Sequence, residues 1–126
     1  MNAAKEYLKQ IDTLGHYAAT KQTELDSFNN MLLLYNLGRD YKEIDTSDLK
    51  KIKQEAVNKM LGAIKQRQHI IDQIGELRSV KYTNILLDIY VRGYNLKSIA
   101  ELYGISHSRA AHLHCEALTA FKEQYM

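Results

Sequence analysis

The side chains of this chain that could do chemistry lie close together near its C-terminus. They are His107, His112, His114 and Cys115. Imidazole and thiolate groups serve as zinc ligands and as nucleophiles. The spacing argues against a metal site, because His112 and His114 would project to nearly opposite sides of a helix. Cys115 lacks an acid–base framework, so we expect it to be a packing residue.

The rest of the sequence lacks the motifs of known catalytic sites. It contains no glycine-rich phosphate loop, no paired-carboxylate signature and no hydrolase-like order of Ser, His and Asp. We therefore expect a protein that is not an enzyme and that has no catalytic residues, no cofactor and no metal. The histidines are better interpreted as polar groups that lie at the surface or face a groove.

The same C-terminal segment has the pattern of a helix-turn-helix, from Leu96 to Phe121. Asn95 can cap the first helix, and Gly104 can take the positive φ that a sharp turn requires. Ile105 would fill the corner between the helices. Ser106 would then cap the second helix with its hydroxyl.

Apolar side chains recur at helical spacing in both predicted helices. Ala100 stands where the helices should cross most closely, and a small residue lets their backbones approach. The predicted inward positions are Leu96, Ile99, Ala100 and Tyr103 in the first helix, Ala110, Leu113, Ala117, Leu118 and Phe121 in the second, and Leu86, Ile89 and Tyr90 in a preceding helix at about Thr83 to Val91.

The outward-facing residues gather near the N-terminal end of the second helix. This is the end that meets base edges in helix-turn-helix proteins, so we predict DNA contacts there. The candidate DNA-binding residues are Ser106, His107, Ser108, Arg109, Ala111 and His112, together with Lys97 of the first helix.

Leu96 to Phe121 resembles region four of bacterial sigma factors, which reads the −35 promoter element. The matching residues are Ile99-Ala100, Leu102-Tyr103-Gly104-Ile105-Ser106, Arg109 and Ala117-Leu118. The whole chain resembles small transcription regulators of phages and prophages of Gram-positive bacteria, which start with a segment like Lys5-Glu6-Tyr7-Leu8 and continue in a long helical part. This resemblance implies control of late phage promoters.

The chain also departs from the sigma pattern. Sigma factors tend to place Arg or Glu where this chain has His107, Ser108 and Ala111, and Glu116 stands where a basic residue is common. These differences leave the preferred DNA sequence open. They also imply weaker binding to phosphate.

Two long amphipathic segments precede the helix-turn-helix. Apolar residues recur at steps of three and four from residue 2 to about 35 and again from Ser47 to about Leu77. The second segment has the seam of a coiled coil, and Val57, Ile64 and Ile71 lie beside that seam. The seam residues are Leu49, Ile52, Ala56, Met60, Ala63, Arg67, Ile70, Ile74 and Leu77.

The predicted architecture is all-α, with a long N-terminal helical hairpin followed by a three-helix helix-turn-helix domain. Residues 1–77 form the hairpin, as an oligomerisation or partner-binding region, and residues 78–126 form the DNA-binding domain. A loop from Asn36 to Thr46 would join the two long helices. In that loop Gly38 can end a helix, and Tyr41 and Ile44 would pack back onto one.

Composition and charge limit the fold classes, compartments and binding partners that this chain could have. The 126 residues include no proline, which favours helices, and one cysteine, which excludes an internal disulfide and suits a reducing cytoplasm. We expect that the start of the chain is not a signal peptide, because no apolar core follows a basic start there, and no apolar run is long enough to span a membrane. The net charge of +2 is low for a protein that holds DNA by electrostatics alone. We therefore expect affinity to come from a homodimer or from host RNA polymerase.

Three functions stay open on this pattern. The first is a phage-type transcription regulator that binds double-stranded DNA in the cytoplasm of the bacterial host. The second is a protein-interaction module that binds RNA polymerase or another regulator without contacting DNA. The third is a phage packaging protein, although such proteins usually carry the DNA-binding domain first.

Overall fold

The computed structural model of the chain describes residues 2–37 and 47–126, which form an all-α fold without any strand in those ranges. The helices are α1 (Ala3–Leu37), α2 (Ser47–Gly75), α3 (Val80–Tyr90), α4 (Leu96–Tyr103) and α5 (His107–Tyr125). The predicted all-α class is confirmed. Among the residues described, no helix combines the length and apolar character needed to cross a bilayer.

The helix boundaries follow the sequence signals closely, with one difference at α3. Its predicted start was Thr83, but the helix begins at Val80, since the side-chain oxygen of Ser79 accepts a hydrogen bond from the backbone N–H of Tyr82 at 3.3 Å. That bond caps the first turn. Toward the predicted loop, α1 continues to Leu37, and the rest of that loop, with Gly38, Tyr41 and Ile44, lies outside the described residues.

The chain divides into two compact units. The terminal unit comprises the chain up to Thr13 together with Arg67–Met126, and the middle unit comprises Leu14–Gln66. The terminal unit is larger than the predicted C-terminal domain, because it also includes the start of α1 and the end of α2.

Phe121 of α5 is the largest fully buried side chain of the terminal unit. Its ring centroid lies 5.8 Å from that of Tyr7 in α1 and 4.9 Å from that of Tyr125 in α5. Both tyrosine hydroxyls donate to Gln73 of α2, Tyr7 to the side-chain oxygen at 2.5 Å and Tyr125 to the backbone carbonyl at 2.8 Å. The start of α1 and the end of α2 therefore cover the C-terminal half of α5.

The predicted core of the helix-turn-helix is largely confirmed. Eight of the predicted inward residues are buried: Leu86, Ile99, Ala100, Ala110, Leu113, Ala117, Leu118 and Phe121. The remaining four are only half-buried: Ile89, Tyr90, Leu96 and Tyr103. The two tyrosines differ from the aliphatic residues because each carries a hydroxyl that must reach a polar partner.

A buried carboxylate joins α3 to α4. Asp88 is 6% exposed, and one of its oxygens accepts a hydrogen bond from the Tyr103 hydroxyl at 2.5 Å while the other forms an ion pair with Arg92. A buried charge is tolerated only when it is paired and hydrogen-bonded, as here. Burial, followed by the hydrogen bond to Asp88, raises the pKa of Tyr103 to about 12.

The interior of the middle unit is built from smaller side chains. Leu25 of α1 and Ala56 and Ala63 of α2 are its buried apolar residues among those described. Ala56 and Ala63 are both positions of the predicted seam, but Ile52, another seam position, is 47% exposed, so the direction of that face is confirmed only in part. Because alanine carries little apolar surface, each contributes less to burial than a leucine would.

Gly104 and Gly62 make a matched pair for testing the turn. Gly104 has a φ of 66° and no atom within 4 Å of an added Cβ, so Gly104→Ala should lower the free energy of unfolding by backbone strain alone, about 1–2 kcal/mol. Gly62 lies inside α2 with equally open surroundings, so Gly62→Ala should raise it by about 0.5–1 kcal/mol. Denaturant unfolding measures both, and equal effects of the two substitutions would contradict the assigned turn.

Candidate nucleic-acid interface

The turn between α4 and α5 has the local geometry that the sequence predicts. Gly104 takes the left-handed conformation, with φ 66° and ψ 37°, and its N–H and that of Ile105 both bond the carbonyl of Ala100. The Ser106 hydroxyl accepts a hydrogen bond from the backbone N–H of Arg109 at 3.0 Å. Asn95 caps α4 in the same way through the N–H of Ser98 at 2.8 Å. The predicted caps and glycine turn are confirmed.

The candidate DNA-binding residues lie at the start of two helices, Lys97 in the first turn of α4 and the others at the N-cap and in the first two turns of α5. Six of them are exposed: Lys97, Ser106, His107, Ser108, Arg109 and His112. Ala111 is half-buried, because it borders the inward face of α5. The short alanine side chain leaves room for another surface to approach the backbone there. Contact with DNA at these positions stays a prediction.

The N-terminus of α5 is electrostatically open to an anion. Its first turn contains no acidic residue. Unpaired backbone N–H groups and the aligned peptide dipoles give a helix N-terminus a partial positive charge, which favours phosphate. The backbone N–H of Arg109 already donates to the Ser106 hydroxyl. The other backbone N–H groups of the first turn are therefore the ones that a partner could bind.

The carboxylate of Glu116, one turn after His112 in α5, contacts two of the candidate residues. One oxygen of Glu116 lies 2.9 Å from the His112 Nε2 and 3.8 Å from a guanidinium nitrogen of Arg109. The other oxygen accepts a hydrogen bond from the hydroxyl of Tyr82 in α3 at 3.2 Å. Glu116 therefore partly neutralises the guanidinium of Arg109, which would face DNA in the predicted complex.

The sequence indicates only part of this cluster, which is formed by Tyr82, Arg109, His112 and Glu116. The four-residue step from His112 to Glu116 places both on one helix face, as the sequence shows. Tyr82 belongs to another helix and gave no such signal. Burial, followed by the nearby charge of Glu116, raises the pKa of the Tyr82 hydroxyl, so the hydroxyl stays protonated and donates to the carboxylate.

The structure corrects two predictions about the histidine–cysteine segment. His114 was expected at the surface but is 9% exposed, with its Nε2 2.8 Å from the Tyr90 hydroxyl. Burial, followed by the positive charge of Lys5, lowers its pKa, which favours a neutral ring. Cys115 was expected to pack but is exposed. The reason is rotational, since one residue further along a helix turns the side chain away from the face that His114 occupies.

Comparisons with known proteins identify no related protein. No family model matches the chain, and no curated protein or solved structure matches it. Within the described ranges, no three His, Cys, Asp or Glu side chains are grouped so that they could hold a metal ion. The resemblance to sigma region four therefore rests on the residues of the sequence.

Two serines at the start of α5 allow the stabilising effect of the helix cap to be tested, because Ser106 caps the helix and Ser108 is only exposed. Ser106→Ala should remove the hydroxyl that accepts from the Arg109 N–H and lower the free energy of unfolding by about 1 kcal/mol. Ser108→Ala changes an exposed serine in the same turn and should leave stability within about 0.5 kcal/mol of the parent. Thermal unfolding followed by circular dichroism measures both, and a larger loss in Ser108→Ala would contradict the assigned cap.

Proposed function

We propose that the chain is a DNA-binding transcription regulator that places α5 in the major groove of double-stranded DNA. The observation that carries this proposal is the α4–Gly104–α5 turn, in which a left-handed glycine and a serine cap leave the first turn of α5 exposed. In helix-turn-helix proteins the corresponding turn meets base edges.

The side chains divide into three groups by their chemistry. Arg109 can donate two parallel hydrogen bonds to guanine or to phosphate, and His107 and Ser108 are polar groups beside it that can contact base edges. Lys97, in the first turn of α4, is a point charge suited to the backbone phosphates. Ala111 offers a methyl group for close apolar contact, for instance with thymine.

The remaining terms of the proposal rest on the sequence resemblance. They are a phage origin, action on late promoters in the cytoplasm of a bacterial host, and cooperation with host RNA polymerase. A homodimer would supply a second recognition helix and hence avidity. The low net charge of +2 supports this part, because few counterions would be released by one chain alone.

A second function, binding a protein instead of DNA, is favoured by the contacts of Glu116. Its carboxylate lies against Arg109 and His112 and reduces the positive charge available to phosphate. Leu102 of α4 is 62% exposed, an apolar group more useful to a protein partner than to DNA. In this case the sigma-like segment would bind polymerase or another regulator without DNA affinity.

Two substitutions in α5 test DNA binding directly. Arg109→Ala should weaken binding by about tenfold or more through loss of a charge-assisted contact. Ala111→Glu should abolish binding, since it places a carboxylate against acceptor edges and phosphates. Lys122→Ala, a change near the far end of the same helix, is the matched control and should have little effect. Fluorescence anisotropy with phage promoter fragments over a salt series, with and without RNA polymerase, measures affinity.

The outcomes separate the two functions. Specific binding by the chain alone, lost in both α5 variants but kept in Lys122→Ala, supports a DNA-binding regulator. Binding that appears only with polymerase, and is still lost in those variants, supports a polymerase-dependent regulator. Association with polymerase but no DNA affinity in any condition would replace the proposal by the protein-binding function.

Glu116→Gln should increase affinity for DNA. The substitution removes the negative charge that holds Arg109 and His112 while it keeps a similar shape. Because exposed pairs are weak, the expected gain is about two- to fivefold. Glu123→Gln, which removes an exposed charge two turns further along α5, is the control. Equal gains in both variants would mean that net charge matters and that the contact with Arg109 does not.

A further inference from the structure

The middle unit carries large apolar side chains that are not fully buried in its interior. Val57, Leu61 and Ile64 follow each other on α2 at steps of four and three, so they form one stripe, here called the outer stripe. Leu61 is 45% exposed and Ile64 is 46% exposed, while Val57 is half-buried. Large apolar groups at this spacing are the anchors by which one helix binds another.

The outer stripe is separate from the face that packs inside the unit. That inner face is marked by Ala56 and Ala63, which are 7% and 6% exposed. Each alanine is a direct sequence neighbour of a stripe residue, Val57 or Ile64, and consecutive residues point in different directions on a helix. The larger side chains thus face outward while the smaller ones are enclosed, the reverse of what burial inside the unit would favour.

Lysines flank the outer stripe at both ends. Lys50 and Lys53 precede Val57 by seven and four residues, and Lys65 follows Leu61 by four, which places each on the same side of the helix as the stripe.

In the part of α2 that belongs to the middle unit, the carboxylates lie on other sides of the helix. Over residues 47–66 the acidic residues are Asp48 and Glu55, and neither stands three or four residues from Val57, Leu61 or Ile64. The outer stripe is therefore apolar along its length and positively charged at its margins.

We propose that the outer stripe binds an acidic amphipathic helix of a partner protein. Its apolar residues would enter between Leu61 and Ile64, and its carboxylates would face Lys50, Lys53 and Lys65. A second copy docked through the same stripe would set these lysines against each other, which is unfavourable. The phosphates of nucleic acid would complement the positive charge of the lysines, but they offer no apolar surface to cover Leu61 and Ile64. This surface is independent of the proposed DNA contacts on α5.

Two synthetic helical peptides of about five turns test the proposal. Both carry leucines at the spacing of a single apolar stripe, and they differ only in flanking residues, which are glutamate in one and lysine in the other. Isothermal titration calorimetry with the full chain should show binding of the acidic peptide and none of the basic peptide. Leu61→Ser should weaken that binding about tenfold. Val80→Ser, which changes an apolar residue that is 73% exposed at the start of α3, is the control and should not.

Lys65→Gln tests the contribution of the flanking positive charge, and Lys122→Gln of α5 is its control. Only Lys65→Gln should weaken binding of the acidic peptide. Circular dichroism confirms that each variant folds. Equal binding of both peptides, no binding of either, or equal loss in Leu61→Ser and Val80→Ser would overturn the proposal. Self-association of the parent chain in sedimentation, abolished by Leu61→Ser, would show instead that a second copy covers the stripe and would also overturn it.

Discussion

The burial of Phe121 is the interaction on which the candidate interface depends. The ring is fully enclosed, with Tyr7 of α1 and Tyr125 of α5 against it and Gln73 of α2 bonded to both tyrosine hydroxyls. A short three-helix segment has little apolar surface of its own, so helices supplied from the start and middle of the chain extend its core. With its C-terminal half held in this way, α5 can present its first turn to a partner without contributing that turn to the interior.

The orientation of α4 against α3 depends on a polar contact. Asp88 is buried between the two helices and is satisfied by Tyr103 and Arg92. Among the residues described, no buried side-chain nitrogen or oxygen is left without a hydrogen-bond partner. A buried carboxylate bonded on both oxygens fixes direction more strictly than apolar packing does, because its hydrogen bonds weaken rapidly with angle. Together with the glycine turn, it sets where α5 begins relative to α4.

Opposing electrostatic effects meet at the exposed face of α5. The helix N-terminus and Arg109 favour an anion, whereas Glu116 attracts Arg109 and His112 back toward the protein. If it contacts DNA as proposed, such a surface would bind phosphate weakly by itself and would gain more than a strongly basic one from a second point of attachment. Under the two proposals, DNA contact and contact with a protein partner would be carried by different helices, α5 and α2.

The sequence alone determined the helical class, the α4–α5 turn, its caps and most inward positions, because local rules govern them. Apolar spacing sets the face of a helix, a serine or asparagine caps the helix that follows it, and Gly104 permits positive φ without steric cost. Only the tertiary structure decided that His114 is buried, that Cys115 is exposed, and that Asp88 and Glu116 contact side chains of other helices. These features depend on which helices pack together, and residues far apart in sequence, such as Tyr82 and Glu116, carry no local signal of that contact.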